Sequence, residues 1–370
     1  MSMTKNENKI YYDVMDDIEA YPDAWCYIVF GGRATGKTYS GLRGAVTNSN
    51  KFVYVKRTVK DVQILCAGNT VNKKMQEAGY GVDLSPFKSL NRDFGWNYRA
   101  FQIFDGLGAF FSCNPENKPI SDPIGYLLSL SSVSKYKGFD LSDCDWMIFD
   151  EFVPKIYDRK LRGEGDQILD LYQTISRDRE IRGKPALKLI CFANADEIAS
   201  PLTNVLEVTD NIAAMLNLHI PLLYIEDRKI FIHHITDNIN FRNKAKEALI
   251  YRAMENTVWG RMALENDFAY NDFSQTGKFN MKNFRPILKY IYKNKTYYVY
   301  LKDDTGEFFI TDSASNASIP CYDLSKNADQ GRLNLDYGIM IRQAMLDDRV
   351  KFKQYTQYDL FRNFTKIFNL

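Results

Sequence analysis

The chain has 370 residues, 45% hydrophobic, 14% aromatic and 25% charged, a balance that excludes a disordered or fibrous protein and predicts about two folded units. Its formal net charge of +2 excludes a bulk polycation, so any nucleic-acid contact must come from a local patch. Six cysteines with no CxxC pair and three histidines speak against a zinc cage or disulfide framework, and the opening MSMTKNENKIYYDVMDD and the lack of a long apolar run predict a soluble, untargeted chain in a reducing cytoplasm.

Taken in chain order, residues 25–30 (WCYIVF) predict a buried strand, residues 31–38 a glycine-rich turn, and residues 39–46 (YSGLRGAV) a helix despite Gly41 and Gly44. A second strand, KFVYVKR, follows. NYRAFQIF and AFFSC on either side of DGLG predict a hairpin. Two further apolar runs, DWMIFDEF and LKLICFANA, flank the helical pattern GDQILDLYQTISRDREI. Short buried strands alternating with helices predict an α/β fold with a parallel sheet.

The character changes near residue 225. FRNKAKEALIYRAMENTVWGRMALENDF has apolar residues at helical spacing, and PILKYIYKNKTYYVYLKDDTGEFFITD alternates as a β-meander does. The expected organisation is an α/β domain over 1–225, a helical linker over 226–272 and a β-rich domain over 273–370.

The glycine-rich turn GGRATGKT fills the pattern G-x-x-x-x-G-K-[ST] between a strand and a helix. In such a loop the backbone of Gly31, Gly32, Arg33, Ala34, Thr35 and Gly36 points N–H groups at phosphate oxygens. Lys37 reaches the β- and γ-phosphates of ATP, and the Thr38 hydroxyl joins the Mg²⁺ shell. The alternative is a glycine turn with a solvated lysine, and the flanking strand and helix weigh against it.

Asp150 and Glu151 end the apolar run 146–149. Two adjacent acids are ordinarily solvated surface, but after a P-loop they form a Walker B pair, Asp150 holding Mg²⁺ and Glu151 polarising the attacking water. This form favours a hydrolase over a small-molecule kinase. Asn194, ending a strand expected beside Walker B, is placed to sense the γ-phosphate or the water; capping the next segment is its other reading. Arg177 and Arg179 lie in the crossover between these strands. Spacing alone makes them local partners of Asp178 and Glu180, whereas in a ring an arginine at a subunit rim completes the neighbour's site. Lys135 and Lys137 pose the same choice. Lys56, Arg57 and Lys60 cluster at the end of the second strand, as a DNA-phosphate contact or a solvated loop.

The set YIVFGGRATGKT, KFVYVKRT, DWMIFDEFVPK and TISRDREI with LKLICFANA, in this order, resembles the DNA-packaging motor ATPases of the small tailed phages of the picovirus group. The likeness covers about residues 20–200, with VWGRMALENDF as a later counterpart. It implies an additional-strand (ASCE, RecA-like) P-loop ATPase domain, then a linker and an RNase H-like vestigial nuclease domain. It also implies a ring of five subunits at the portal of a procapsid in the host cytoplasm, absent from the mature virion, using ATP and Mg²⁺ to move double-stranded DNA inward. Arg177 and Lys135 match the family's trans-acting arginine and lysine. Asp303, Asp304, Asp312 and Asp336 form no clear nuclease set, so no cutting is expected. Some relatives dock through a structural RNA, which the residues do not decide. A nuclease-active terminase, a helicase or AAA+-type remodeller, and a nucleotide switch remain the rival readings.

Overall fold

The structure, a computed structural model, describes residues 10–66, 84–136, 138–154, 161, 163–194, 197–236, 243–257, 260 and 273–363. Lys137 and residues 237–242, 258–259 and 261–272 of the expected linker lie outside them. The chain divides into two compact units, Met1–Leu206 with Ala214–Tyr270, and Glu207–Ala213 with Asn271–Leu370.

The first unit begins with α1 (Val14–Ala20), β1 (Cys26–Gly31), α2 (Lys37–Thr47), β2 (Phe52–Lys56) and α3 (Val59–Cys66). It continues through α4 (Lys88–Phe94), β3 (Tyr98–Phe104), β4 (Leu107–Ser112), β5 (Gly125–Ser129) and a 3₁₀ turn, Leu130–Lys135. After these come β6 (Trp146–Asp150), α5 (Glu164–Ser176), β7 (Lys188–Asn194), α6 (Pro201–Val205), β8 (Leu222–Ile225), β9 (Ile230–His234) and α7 (Leu249–Met254). The nine strands make one sheet in the order β3-β4-β5-β2-β6-β7-β1-β9-β8. Its centre, from β5 to β9, is parallel, and β3 and β4 form the expected hairpin on one edge.

Every residue of β1 is buried, as a central parallel strand covered on both faces requires. β7 pairs with β1 on one side and β6 on the other, so an additional strand separates the glycine-loop strand from the Walker B strand. This is the predicted α/β arrangement. The two helix glycines have a packing reason. A Cβ on Gly41 would stand 2.6 Å from the Phe192 ring, so only glycine lets α2 lie this close to the sheet. β9 pairs with β1, so the sheet runs past the boundary expected at 225; residues 226–229 turn the β8–β9 hairpin, and the change in pattern follows that hairpin.

Arg177 and Arg179 differ from each other and from the local pairing that spacing alone suggests. Arg179 is 3% exposed. It donates to the carbonyls of Cys144 and, at 2.7 Å, Pro185, and pairs with Asp145 at 2.6 Å, fastening the crossover to the start of β6. Asp178 bonds Arg182 instead. Arg177 caps α5 with φ +45°, a backbone that ends the helix at Ser176 and not at the end of the helical pattern.

In the second unit β10 (Arg285–Tyr292), β11 (Lys295–Lys302) and β12 (Glu307–Thr311) form the predicted meander. β13 (Cys321–Asp323) joins β10 and β14 (Val350–Phe352) joins β12, both parallel. Helices α8 (Asn327–Leu333), α9 (Ile339–Leu346) and α10 (Tyr355–Asn363) supply Leu333, Ile341 and Phe361 to its core. Its four named aspartates go to separate partners: Asp303 to Arg285, Asp304 to Lys302, Asp312 to Lys353 and Asp336 to Tyr322.

Removing Arg179 strands two carbonyls and one carboxylate, so Arg179→Ala should cost about 3 kcal/mol, toward the low end for a broken buried pair because Asp145 is partly exposed. Arg177→Ala should cost less than about 1 kcal/mol, as a surface pair does. Urea unfolding of the two variants checks the contrast.

Candidate functional site

Parallel strands deliver the residues at their C-terminal ends to one edge of the sheet, where open α/β folds bind ligands. Here β1, β6 and β7 end around a cavity of about 470 Å³ that also takes in the start of α2, a size suited to a small ligand. Gly36, at φ +92°, is the N-cap of α2; this left-handed turn is open to glycine and aims the first helical N–H groups into the cavity. Lys37 is buried, and its Nζ sits inside the loop, donating to the Gly32 carbonyl at 2.7 Å, the Gly31 carbonyl at 3.0 Å and Thr35 Oγ1 at 3.2 Å. Arg33 and Ala34 stay exposed at the tip.

Asp150 is the centre of the site. Its Oδ1 accepts from Thr38 Oγ1 at 3.0 Å and from the Glu151 N–H at 3.1 Å. Its Oδ2 accepts from Tyr54 Oη at 2.6 Å and Lys56 Nζ at 3.2 Å. Burial, then the Asp150 charge, pushes the Tyr54 hydroxyl well up, so Tyr54 remains a donor to that carboxylate. Thr38 and Asp150 thus present a hydroxyl and a carboxylate side by side, the hard oxygen donors that suit Mg²⁺.

Glu151 extends beyond Asp150 with φ +56° and its carboxylate largely exposed, 3.6 Å from Lys56 Nζ. Asn194 stands in register with Gly31, putting a polar side chain between the glycine loop and the Walker B turn. The expectation that Lys56 faces outward to DNA is therefore corrected: β2 lies next to β6, and the ammonium turns inward onto Asp150 and Glu151. Lys60 remains exposed on α3.

Two candidates lie elsewhere. α5 carries the chain back from the cavity end of β6 to the start of β7, roughly 20 Å for a helix of this length. Arg177 ends it beside Phe139, whose carbonyl accepts from its guanidinium, and 3.6 Å from Asp140. Arg179, two residues on, bonds Asp145 at the start of β6, so the end of α5 lies at the opposite end of the sheet from the glycine loop. Lys135, exposed at the end of the 3₁₀ turn, belongs to the segment against which α5 packs.

Among the cavity residues that escape sequence reasoning are Tyr11, Tyr39, Arg92 and Asp93. Tyr11 lies over Gly36, where a Cβ would come within 3.1 Å of it. Its segment is held by the Tyr12 N–H on the Thr35 carbonyl at 3.0 Å and by Tyr12 Oη on Asp17 at 2.7 Å, the latter also bonded by His233. Tyr39 donates to Asp93 at 3.1 Å, and the Arg92 guanidinium bonded to Asp93 holds that carboxyl below its usual range. The aromatic pair in KIYYDV is the one local signal, and nothing in it reveals a partner near residue 36.

Comparison with known proteins agrees with this architecture. The DNA packaging proteins of Bacillus phages PZA and phi29 are 22% and 23% identical over 195 residues, 52% of this chain and 54% of each relative. The chain thus spans about half the length of the curated relatives it matches. Among solved structures, the bacteriophage Phi-29 viral genome packaging motor assembly aligns with a TM-score of 0.63 at 16% identity, covering 97% of this chain and 100% of that one. The Phi-28 gp11 DNA packaging motor aligns with a TM-score of 0.58 at 16% identity, over 97% and 98%; at this identity both likenesses speak for the fold alone. Residues 120–337, more than half of the chain and including Walker B, the crossover and Asn194, match the family of the Podovirus DNA encapsidation protein (Gp16), and the chain belongs to that family.

Proposed function

We propose that the chain is an ATPase that drives double-stranded viral DNA into a preformed procapsid, acting as a ring of five subunits at the portal in the host cytoplasm. The observation that carries the reading is the 3.0 Å contact of Thr38 with Asp150, which joins the glycine loop to a Walker B carboxylate with Glu151 next to it. Membership of the encapsidation family supplies the cargo and setting.

In this reading the N–H groups of residues 31–38 and the Lys37 ammonium bind the phosphates. Thr38 and Asp150 would hold Mg²⁺, which when bound neutralises phosphate charge. Glu151 orients a water and takes its proton, and Asn194 hydrogen-bonds the water or the γ-phosphate, so that ATP and water give ADP and phosphate. Lys56 holds one side of the Glu151 carboxylate. Arg177, too far from its own loop, serves the next subunit's phosphates, and Lys135 is a second candidate for that role. Lys60 is the remaining DNA-facing candidate. The second unit, a meander flanked by helices, is read as a nuclease-like domain without cutting activity.

Glu151→Gln should lower ATP turnover by roughly a hundredfold or more while nucleotide binding is kept; undiminished phosphate release sinks the assignment. Arg177→Ala and Lys37→Ala should each be inactive alone, yet mixed rings should recover part of the activity, because an intact loop then meets an intact arginine. No recovery at any ratio argues for action within one subunit. With procapsids and ATP the wild-type chain should shield DNA from added DNase; equal digestion with and without ATP would refute the packaging role.

A further inference from the structure

Arg57 was grouped by sequence with the basic cluster after β2, and the proposed reaction gives it no role. Its side chain is nonetheless 12% exposed and faces Glu164, whose side chain is 0% exposed. Arg57 Nε and Nη2 both lie on Glu164 Oε1, at 3.0 and 2.9 Å. The same Nη2 reaches the carbonyls of Glu151 at 3.3 Å and Phe152 at 3.2 Å. Both partners are fixed in turn: the Arg57 carbonyl accepts from the Ser131 N–H at 3.0 Å, and Glu164 Oε2 from the Leu161 N–H at 3.3 Å.

A buried ion pair is a poor stabiliser, since apolar residues of the same volume commonly do as well. Its position is more informative. Glu151 has φ +56°, a backbone that non-glycine residues hold only where neighbours over-determine it. Asp150 accepts its N–H at 3.1 Å, Arg57 holds its carbonyl, and the next N–H, of Phe152, bonds the Phe192 carbonyl at 3.1 Å. Asp150 precedes the turn directly, whereas Arg57 reaches it from the end of β2, and its guanidinium joins the Glu164 carboxylate to the two carbonyls of the turn.

We propose that Arg57 and Glu164 form a positioning pair that holds the Walker B turn in its left-handed shape and so aims the Glu151 carboxylate, with Glu164 tying that turn to the first turn of α5. Neither residue touches nucleotide. The proposal rests on the assignment of Glu151 as the water-activating carboxylate. Without the clamp the turn relaxes and the carboxylate points elsewhere, while the glycine loop still binds.

The test compares Arg57→Lys, Glu164→Gln and Glu151→Gln in full-length protein by steady-state ATP hydrolysis, ADP affinity and thermal melting. Arg57→Lys and Glu164→Gln should each lower kcat by roughly ten- to a hundredfold, as misplacement of a reacting group does, with ADP affinity unchanged and a cooperative melt retained. The double variant should lose little more than either single one, because the two residues act as a unit. If Glu151→Gln is inactive and both folded variants keep kcat within about twofold of wild type, well short of the effect expected of misplacement, the proposal is overturned alone. Full turnover in Glu151→Gln overturns the underlying assignment and the proposal with it. Should Arg57→Lys fail to fold, the isosteric Glu164→Gln decides; if neither melts cooperatively, the pair is a structural brace and the proposal is wrong.

Discussion

One carboxylate organises the first unit. Asp150 accepts four hydrogen bonds, from Thr38, Tyr54, Lys56 and the Glu151 backbone, and each comes from a different part of the chain or fixes the next residue. A half-buried carboxylate is stable only when its lone pairs are taken up. That demand draws the start of α2 and the end of β2 to the end of β6, and the shape of the cavity follows from it. Tyr54 is held protonated by burial beside that carboxylate and so remains a donor to it.

The additional strand sets the remaining geometry. With β7 between β1 and β6, Asn194 comes level with Gly31, and the Walker B turn stands one strand away from the glycine loop. The space so created is where a water can lie between loop and carboxylate. The crossover that permits this insertion must also return the chain to the far end of the sheet, which removes Arg177 from its own cavity. An arginine presented outward is thus a consequence of strand order and needs no special loop.

Much of this was legible in the sequence because it is local. Glycine-loop chemistry is written in eight consecutive residues, the Walker B strand in an apolar run that ends in acids, and the meander in strict alternation. What escaped detection depends on pairs far apart in the chain. Lys56 and Lys60 look alike as basic residues after a strand, yet β2 pairs with β6 and only Lys56 is turned onto Asp150. Arg177 and Arg179 are two residues apart in one motif, but one fastens β6 internally and the other ends a helix at the surface. Tyr11 reaches the cavity because Tyr12, Asp17 and His233 hold its segment, a contact that joins β9 to the N-terminus and has no signature in either stretch. The domain boundary failed for a related reason, since nothing in residues 230–234 announces β1 as their partner.

The strained residues follow the same logic. Glu151 and Arg177 bracket the segment that includes α5, and both hold positive φ angles, each costing on the order of 1–3 kcal/mol for a non-glycine residue. At Glu151 the surroundings supply compensation on every side, through Asp150, Arg57 and the Phe192 carbonyl. At Arg177 they supply the Phe139 carbonyl and a loose contact with Asp140. A glycine at either position would relieve the strain but lose the carboxylate or the guanidinium. That both positions keep a charged side chain on an unfavourable backbone is best understood if the direction of that side chain is what the fold preserves, one aimed into its own cavity and the other away from it.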